Sequence, residues 1–158
     1  MNKRIIIAFL AFTAILVSCK KSAPVIIDMP DYYITASKNN ADWSAVPYAK
    51  VDQDSLLIQG QGKEELLSMK IKFSNLGNYT LTGGQCFYWL TLGGDAIIAQ
   101  YQLRTDIVSS INITSYDPVN KIVEGTFNLK LVQTYPPLAN PILVRLNFSN
   151  GKFRSQIK

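Results

Sequence analysis

The sequence has no histidine among its 158 residues. That removes the side chain most often used as general acid, general base or metal ligand near neutral pH. An acid–base pair would have to come from carboxylates, and the close pairs are Asp52 with Asp54 and Glu64 with Glu65. On a strand Asp52 and Asp54 would share a face, where like charges raise one pKa, but both border a polar stretch and read as solvated. Cysteine is almost as scarce, with only Cys19 and Cys86. No acidic spacing resembles a calcium loop, and no cluster resembles a zinc site. A phosphate cradle is missing as well, because Gly83-Gly84 and Gly93-Gly94 lack the lysine and the following helix that one needs. Catalytic residues, metals and cofactors are therefore not expected. Charge is thin, at 17% of residues, and its positive members are scattered, so nucleic acid is not an expected partner. No run of ten residues carries helical periodicity, and only Lys63 to Leu67 reads as a single helical turn.

What is present begins with a processing signal. Lys3 and Arg4 form a short positive region, Ile5 to Val17 is an apolar run broken only by Thr13, and small Ser18 precedes Cys19. A spanning helix needs roughly 20 apolar residues; this run is shorter and ends at Cys19-Lys20-Lys21. Residues 1–18 thus read as a signal peptide cleaved between Ser18 and Cys19. Leu16-Val17-Ser18-Cys19 resembles the lipobox of bacterial lipoproteins, and the resemblance implies a diacylglycerol on the Cys19 thiol and acylation of the new amino terminus. Each buried methylene contributes about 0.8 kcal/mol, so two or three acyl chains hold a protein to a bilayer where one holds it only marginally.

Cleavage also changes the charge balance. Lys3 and Arg4 leave, basic residues fall from 16 to 14 against 11 acids, and the mature chain carries +3. Lys20 and Lys21 then lie beside lipid headgroups. Residues 19–31 read as a tether, with Pro24 and Pro30 bracketing an apolar patch at Val25 to Ile27. With lipid on Cys19, Cys86 is the remaining thiol, no intramolecular disulfide forms, and the domain depends on packing alone. Cys86 sits in an apolar segment and reads as a buried, inert thiol.

From residue 32 to 158 the period is two, which marks half-buried strands. Met69, Ile71 and Phe73 alternate with polar neighbours. Val123, Gly125, Phe127, Leu129 and Leu131 do the same, as do Ile142, Val144, Leu146 and Phe148. Further strands are expected at 32–37, 55–61, 78–82, 85–92, 97–104 and 109–116. Asn39-Asn40, Gly83-Gly84 and Gly93-Gly94-Asp95 mark reversals, Asp117-Pro118-Val119-Asn120 fits a type I turn, and Tyr135 to Pro141 reads as an irregular loop. Asn150-Gly151 predicts a type I′ hairpin joining the last two strands. About nine or ten short antiparallel strands imply an all-β domain, either a β-sandwich or a flattened β-barrel.

Ile34-Thr-Ala-Ser-Lys-Asn-Asn-Ala-Asp-Trp43 resembles the opening hairpin of a family of uncharacterised Bacteroidetes lipoproteins, whose pattern is roughly aromatic-x-Ala-x-apolar-Asn-Gly-x-x-Trp. Gly77-Asn-Tyr79, Ile113-Thr-Ser-Tyr-Asp117 and Glu124-Gly-Thr-Phe127 resemble its later segments, and Asn150-Gly-Lys-Phe153 its closing hairpin. The order of these pieces carries the resemblance. Asn40 stands where the pattern prefers glycine and Lys38 where it prefers an apolar residue; asparagine also enters the left-handed region, so the turn is kept. The resemblance implies an all-β lipoprotein and brings no activity with it.

In Gln85 to Leu92 both faces are apolar: Cys86, Tyr88, Leu90 and Leu92 point one way, Phe87 and Trp89 the other. Such a strand is either covered on both sides or offers one side as a contact surface. Phe87 and Trp89 are thus candidate binding residues, joined by Trp43, whose default is a core position, and Tyr48. A non-catalytic binding or protein-interaction module of the cell envelope is the favoured reading, with a small ligand, carbohydrate or protein as partner. Acidic residues immediately after Cys19, a surface-export feature in the lipoproteins it resembles, are absent; the expected location is the outer membrane, on its periplasmic side. The alternatives are a purely structural envelope lipoprotein and a carboxylate-based hydrolase. Replacing Cys19 by Ala should abolish metabolic labelling with a fatty acid and leave the chain unprocessed or soluble; unchanged labelling would show that the lipobox reading is wrong.

Overall fold

The structure, a computed structural model, describes residues 31–137 and 144–158. The expected signal peptide with Ser18, Cys19, the expected tether up to Pro30, and Ile142 with Leu143 lie outside the described residues. Among the described residues ten strands follow one another: β1 (Tyr33–Lys38), β2 (Ala41–Asp52), β3 (Ser55–Gln61), β4 (Glu65–Lys72), β5 (Gly77–Leu81), β6 (Cys86–Leu92), β7 (Ala96–Leu103), β8 (Ser109–Asp117), β9 (Ile122–Tyr135) and β10 (Arg145–Gln156). Eight of them pair antiparallel in the order β10-β1-β2-β3-β4-β6-β7-β9, and β9 pairs back onto β10, so the sheet closes into a barrel. The sequence-based choice between sandwich and flattened barrel resolves to the barrel.

The long strand β9 makes the closure possible while carrying an extension. One edge lies along β10. The other is shared, Leu131 to Tyr135 pairing with β7 and Ile122 to Asn128 with β8. Beyond β8 lies β5, a five-residue edge strand. The alternation of β9 is complete: Val123, Gly125, Phe127, Leu129 and Leu131 are all buried, as their period of two requires.

An eight-stranded barrel has an interior just wide enough for side chains to fill, and here rings fill it. Trp43 and Tyr88 meet Phe148 edge-on at 5.1 and 5.5 Å, and Tyr101 meets Tyr88 at 5.8 Å. Three interior glycines make the space. A Cβ on Gly60 would stand 2.6 Å from the Trp43 ring, one on Gly125 2.6 Å from the Phe153 ring, and one on Gly151 2.5 Å from the Phe127 ring. The last two form a reciprocal pair, since Gly125 is opposite Phe153 and Gly151 opposite Phe127 in the β9–β10 ladder. Each aromatic lies across the glycine of the facing strand.

Three sequence expectations are corrected. Asn150-Gly151 does not turn a hairpin: both residues lie inside β10, and the register with β9 slips between Phe148 and Gly151. Asn150, at φ 53°, makes a bulge that bends the strand instead of reversing it, and so the closing hairpin implied by the family resemblance is a bent strand. Second, Lys63 to Leu67 is no helical turn; Gly62 donates to the Glu65 carbonyl at 2.8 Å and β4 begins at Glu65. Third, β2 was not anticipated. Its inward positions Ala45, Pro47 and Ala49 are small or cyclic, which hides the alternation. Pro47 lies beyond the last β1-paired residue, Ala45, with β3 alone beside it, the half-edge position that tolerates proline. By contrast the Asn39-Asn40 turn is as expected, at φ 49° and 69°.

The meander sorts the connections into two ends. The β1–β2, β3–β4 and β6–β7 turns lie at one end, here the mouth. The β2–β3 and β8–β9 turns lie at the other, with the start of β1 and the C-terminal Lys158, whose N–H donates to the Ala49 carbonyl. The glycine contacts give a paired prediction. Gly125→Ala would drive a Cβ to 2.3 Å from the Asn112 carbonyl oxygen, a backbone atom that cannot move aside, whereas Gly84 has open space around it. Urea denaturation should show Gly125→Ala destabilised by about 2 kcal/mol or more and Gly84→Ala near wild type; equal midpoints for the two would remove the packing account.

Candidate functional site

Two places gather polar or aromatic side chains in a patterned way, one inside the mouth and one on the outer wall. Glu65 opens β4 with the same parity as Leu67, Met69 and Ile71, so its carboxylate points into the barrel. There it accepts hydrogen bonds from Lys38 Nζ at 2.6 Å, from Trp43 Nε1 at 2.9 Å and from the Tyr88 hydroxyl. Lys38 Nζ also lies 2.9 Å from the Tyr88 oxygen. Burial pushes the Glu65 carboxyl up, but the donors from Lys38, Tyr88 and Trp43 outweigh it and hold the pKa below the ordinary value. Burial and the adjacent carboxylate push the Tyr88 phenol up, so the phenol stays protonated and donates. The cluster is a satisfied polar plug over an aromatic interior.

The carboxylate pairs named in the sequence do not come together. Glu64 points away from Glu65, its Oε1 3.4 Å from the Gly93 nitrogen. Asp52 and Asp54 do not share a strand face: Asp52 ends β2, Asp54 stands in the turn after Gln53 at φ 54°, and Asp54 pairs with Lys72 at 3.2 Å. The Cys86 thiol is fully buried and pushed up by burial. Among the described residues no group of three or more His, Cys, Asp or Glu could hold a metal ion, and no helix is long and apolar enough to cross a membrane.

Of the four aromatic candidates, Trp43 goes to the core, 5% exposed, as its default reading had it. Phe87, Trp89 and Tyr48 all face outward. Residues directly opposite in antiparallel pairs share a face, so the registers define rows across the wall. One row runs Tyr48–Gln59–Ser68–Phe87–Gln102–Val132. The next runs Val46–Gln61–Leu66–Trp89–Gln100–Tyr135 through the same ladders. A shift between Gln100 and Tyr101 brings Tyr135 outward. Six strands at about 4.8 Å spacing make a strip on the order of 24 Å long, and none of its twelve side chains is charged. Charge returns in the following row, Lys50–Leu57–Lys70.

At the centre of the strip Phe87 and Trp89 stack, with centroids 4.4 Å apart and planes 23° apart. Both rings are half-buried, and Ser68 is buried beside them. Trp89 Nε1 is buried with no hydrogen-bond acceptor among the described residues. Beside Trp89 the surface dips into a groove of about 350 Å³ between the β3–β4 and β6–β7 turns, lined by Gln61, Leu66, Trp89 and Ile97 together with the charged Lys63, Glu65 and Asp95. The glutamines were not singled out in the sequence. Their signal is there, as Gln59-x-Gln61 and Gln100-x-Gln102, spaced to share a strand face. Glu65 likewise shares parity with Leu67 and Met69, which foretells an inward carboxylate.

The Glu65 plug yields a pH prediction. Its folded pKa lies below its unfolded value of 4.5, so its contribution is fully present above that pH and is lost as pH falls through the folded value. Glu65→Ala would strand three donors and should cost about 2 kcal/mol at neutral pH. Glu65→Gln should show a smaller fall in urea midpoint between about pH 7 and about pH 3 than wild type. An identical fall in both would show that the plug contributes nothing to acid stability.

Comparison with curated proteins and with solved structures finds no match. The family model described as a domain of unknown function (DUF6252) matches residues 31–155, which takes in every strand but the last residue of β10. The barrel and its outer strip therefore lie within one family domain, and the chain belongs to the DUF6252 family.

Proposed function

We propose that this chain is a lipoprotein of a bacterial cell envelope, anchored through lipid on Cys19, whose barrel is a non-catalytic binding module with the outer strip as its contact face. The anchor reading rests on the sequence: a positive start, an apolar run too short to span, and Leu16-Val17-Ser18-Cys19. The order of the strand motifs supports a Bacteroidetes origin, and the lack of acids immediately after Cys19 supports the periplasmic side over the cell surface.

One observation carries the binding reading. Two adjacent rows spanning six strands hold no charged side chain, and stacked Phe87 and Trp89 occupy their middle. A solvated barrel wall ordinarily disperses charge among its outward positions, as Lys50 and Lys70 do one row away; a charge-depleted, aromatic-centred patch is the composition of recognition surfaces. Among the described residues aromatic rings pack the interior, which directs attention to the outside. Catalysis gains no support from the carboxylates, since Glu65 is paired with Lys38 and plugs the mouth.

Hydroxyl-radical footprinting tests this without knowledge of the ligand. In envelope preparations Tyr48, Phe87, Trp89 and Tyr135 should be oxidised several-fold more slowly than in the purified full chain, while exposed Tyr32 and Tyr116 change little. Equal rates at all six positions would refute a contact face on the strip.

A further inference from the structure

From the same strip, and resting on the binding reading above, we infer that the ligand is a neutral polysaccharide. The aromatic stripe of Phe87 and Trp89 on β6 is flanked on both sides by a pair of carboxamides: Gln59 and Gln61 on β3, and Gln100 and Gln102 on β7. The two glutamine pairs stand three strand spacings apart, about 14 Å. A carboxamide offers two donors and an acceptor, which matches vicinal hydroxyls, each of them donor and acceptor at once. An aromatic ring with a polar handle offers a flat apolar surface to the C–H face of a pyranose. The combination suits a ligand that is polar, uncharged and ring-shaped.

The surface argues against other classes. An anionic polymer would call for Lys or Arg along the track, and the two rows have none; the one lysine lining the groove, Lys63, shares it with Glu65 and Asp95. A protein partner would call for arginine among the aromatic anchors; the strip has none, and four of its twelve positions are glutamine. The groove beside Trp89 gives the strip a concave end of about 350 Å³. The buried Trp89 Nε1–H lacks an acceptor among the described residues, and a side-chain movement that admits a sugar hydroxyl would supply one.

Affinity electrophoresis of the full chain, extracted in a neutral sugar-free detergent, tests the assignment with gels containing dextran, mannan or hydroxyethyl cellulose and, separately, anionic alginate. The expected result is retardation by at least one neutral gel, unchanged on adding salt, with none by alginate. Trp89→Ala should weaken it about tenfold, the loss of one stacked ring and its hydrogen bond. Gln100→Ala, which removes no ring, should weaken it several-fold, and Lys50→Gln should leave it unchanged. Retardation by none of the neutral gels, or retardation indifferent to both Trp89→Ala and Gln100→Ala, overturns the assignment. If the strip is still protected in the envelope footprint, the contact face stands and the ligand class alone is wrong; salt-sensitive retardation by alginate would likewise replace the neutral glycan by an anionic one.

Discussion

Everything else in this structure depends on aromatic rings lying across glycines inside a closed sheet. Trp43 covers Gly60, Phe153 covers Gly125 and Phe127 covers Gly151. Close packing tolerates neither the void that a smaller ring would leave nor the clash that a Cβ would make. The reciprocal pair on β9 and β10 ties together the two strands whose ladder closes the barrel. It also accounts for the bulge at Asn150, since the register shift between Phe148 and Gly151 is what sets Gly151 opposite Phe127.

A filled interior decides where recognition can happen. Eight-stranded barrels either hold a small ligand or pack their own side chains, and this one packs, with Phe148 contacting Trp43, Tyr88 and Phe127. The Lys38–Glu65–Tyr88–Trp43 cluster then closes the mouth with internally matched polar groups. Surface chemistry must therefore come from the outer wall, and there the pairing registers assemble residues far apart in sequence, from Val46 to Tyr135, into one uncharged strip. Rigid strands hold those side chains at fixed spacing, which lowers the entropy lost on binding.

Much of this is legible in the sequence alone. Strict alternation in 123–131 gave β9 its inward face, and the two apolar faces of Cys86 to Leu92 gave both the core Tyr88 and the outer Phe87–Trp89 pair. The hidden parts share a physical cause. A positive-φ Asn-Gly serves a hairpin or a bulge equally well, and only the neighbouring strands choose between them. In β2 the inward positions Ala45, Pro47 and Ala49 are small or cyclic and outward Val46 is apolar, which weakens the polarity alternation until the partner Gly60 is known. The strip is a product of register: Gln59 and Gln102 are unremarkable in sequence and become part of one surface only when β4 and β6 are placed between them.

The claim that the barrel is solid can be measured most directly by methyl NMR under xenon pressure, because xenon enters dry apolar cavities. The account predicts that the methyls of Ile58, Met69, Leu129 and Leu131 keep their shifts as xenon is added. Saturable shifts at those interior methyls would reveal a cavity within the sheet, contradict the filled core, and return the search for a ligand to the inside of the barrel.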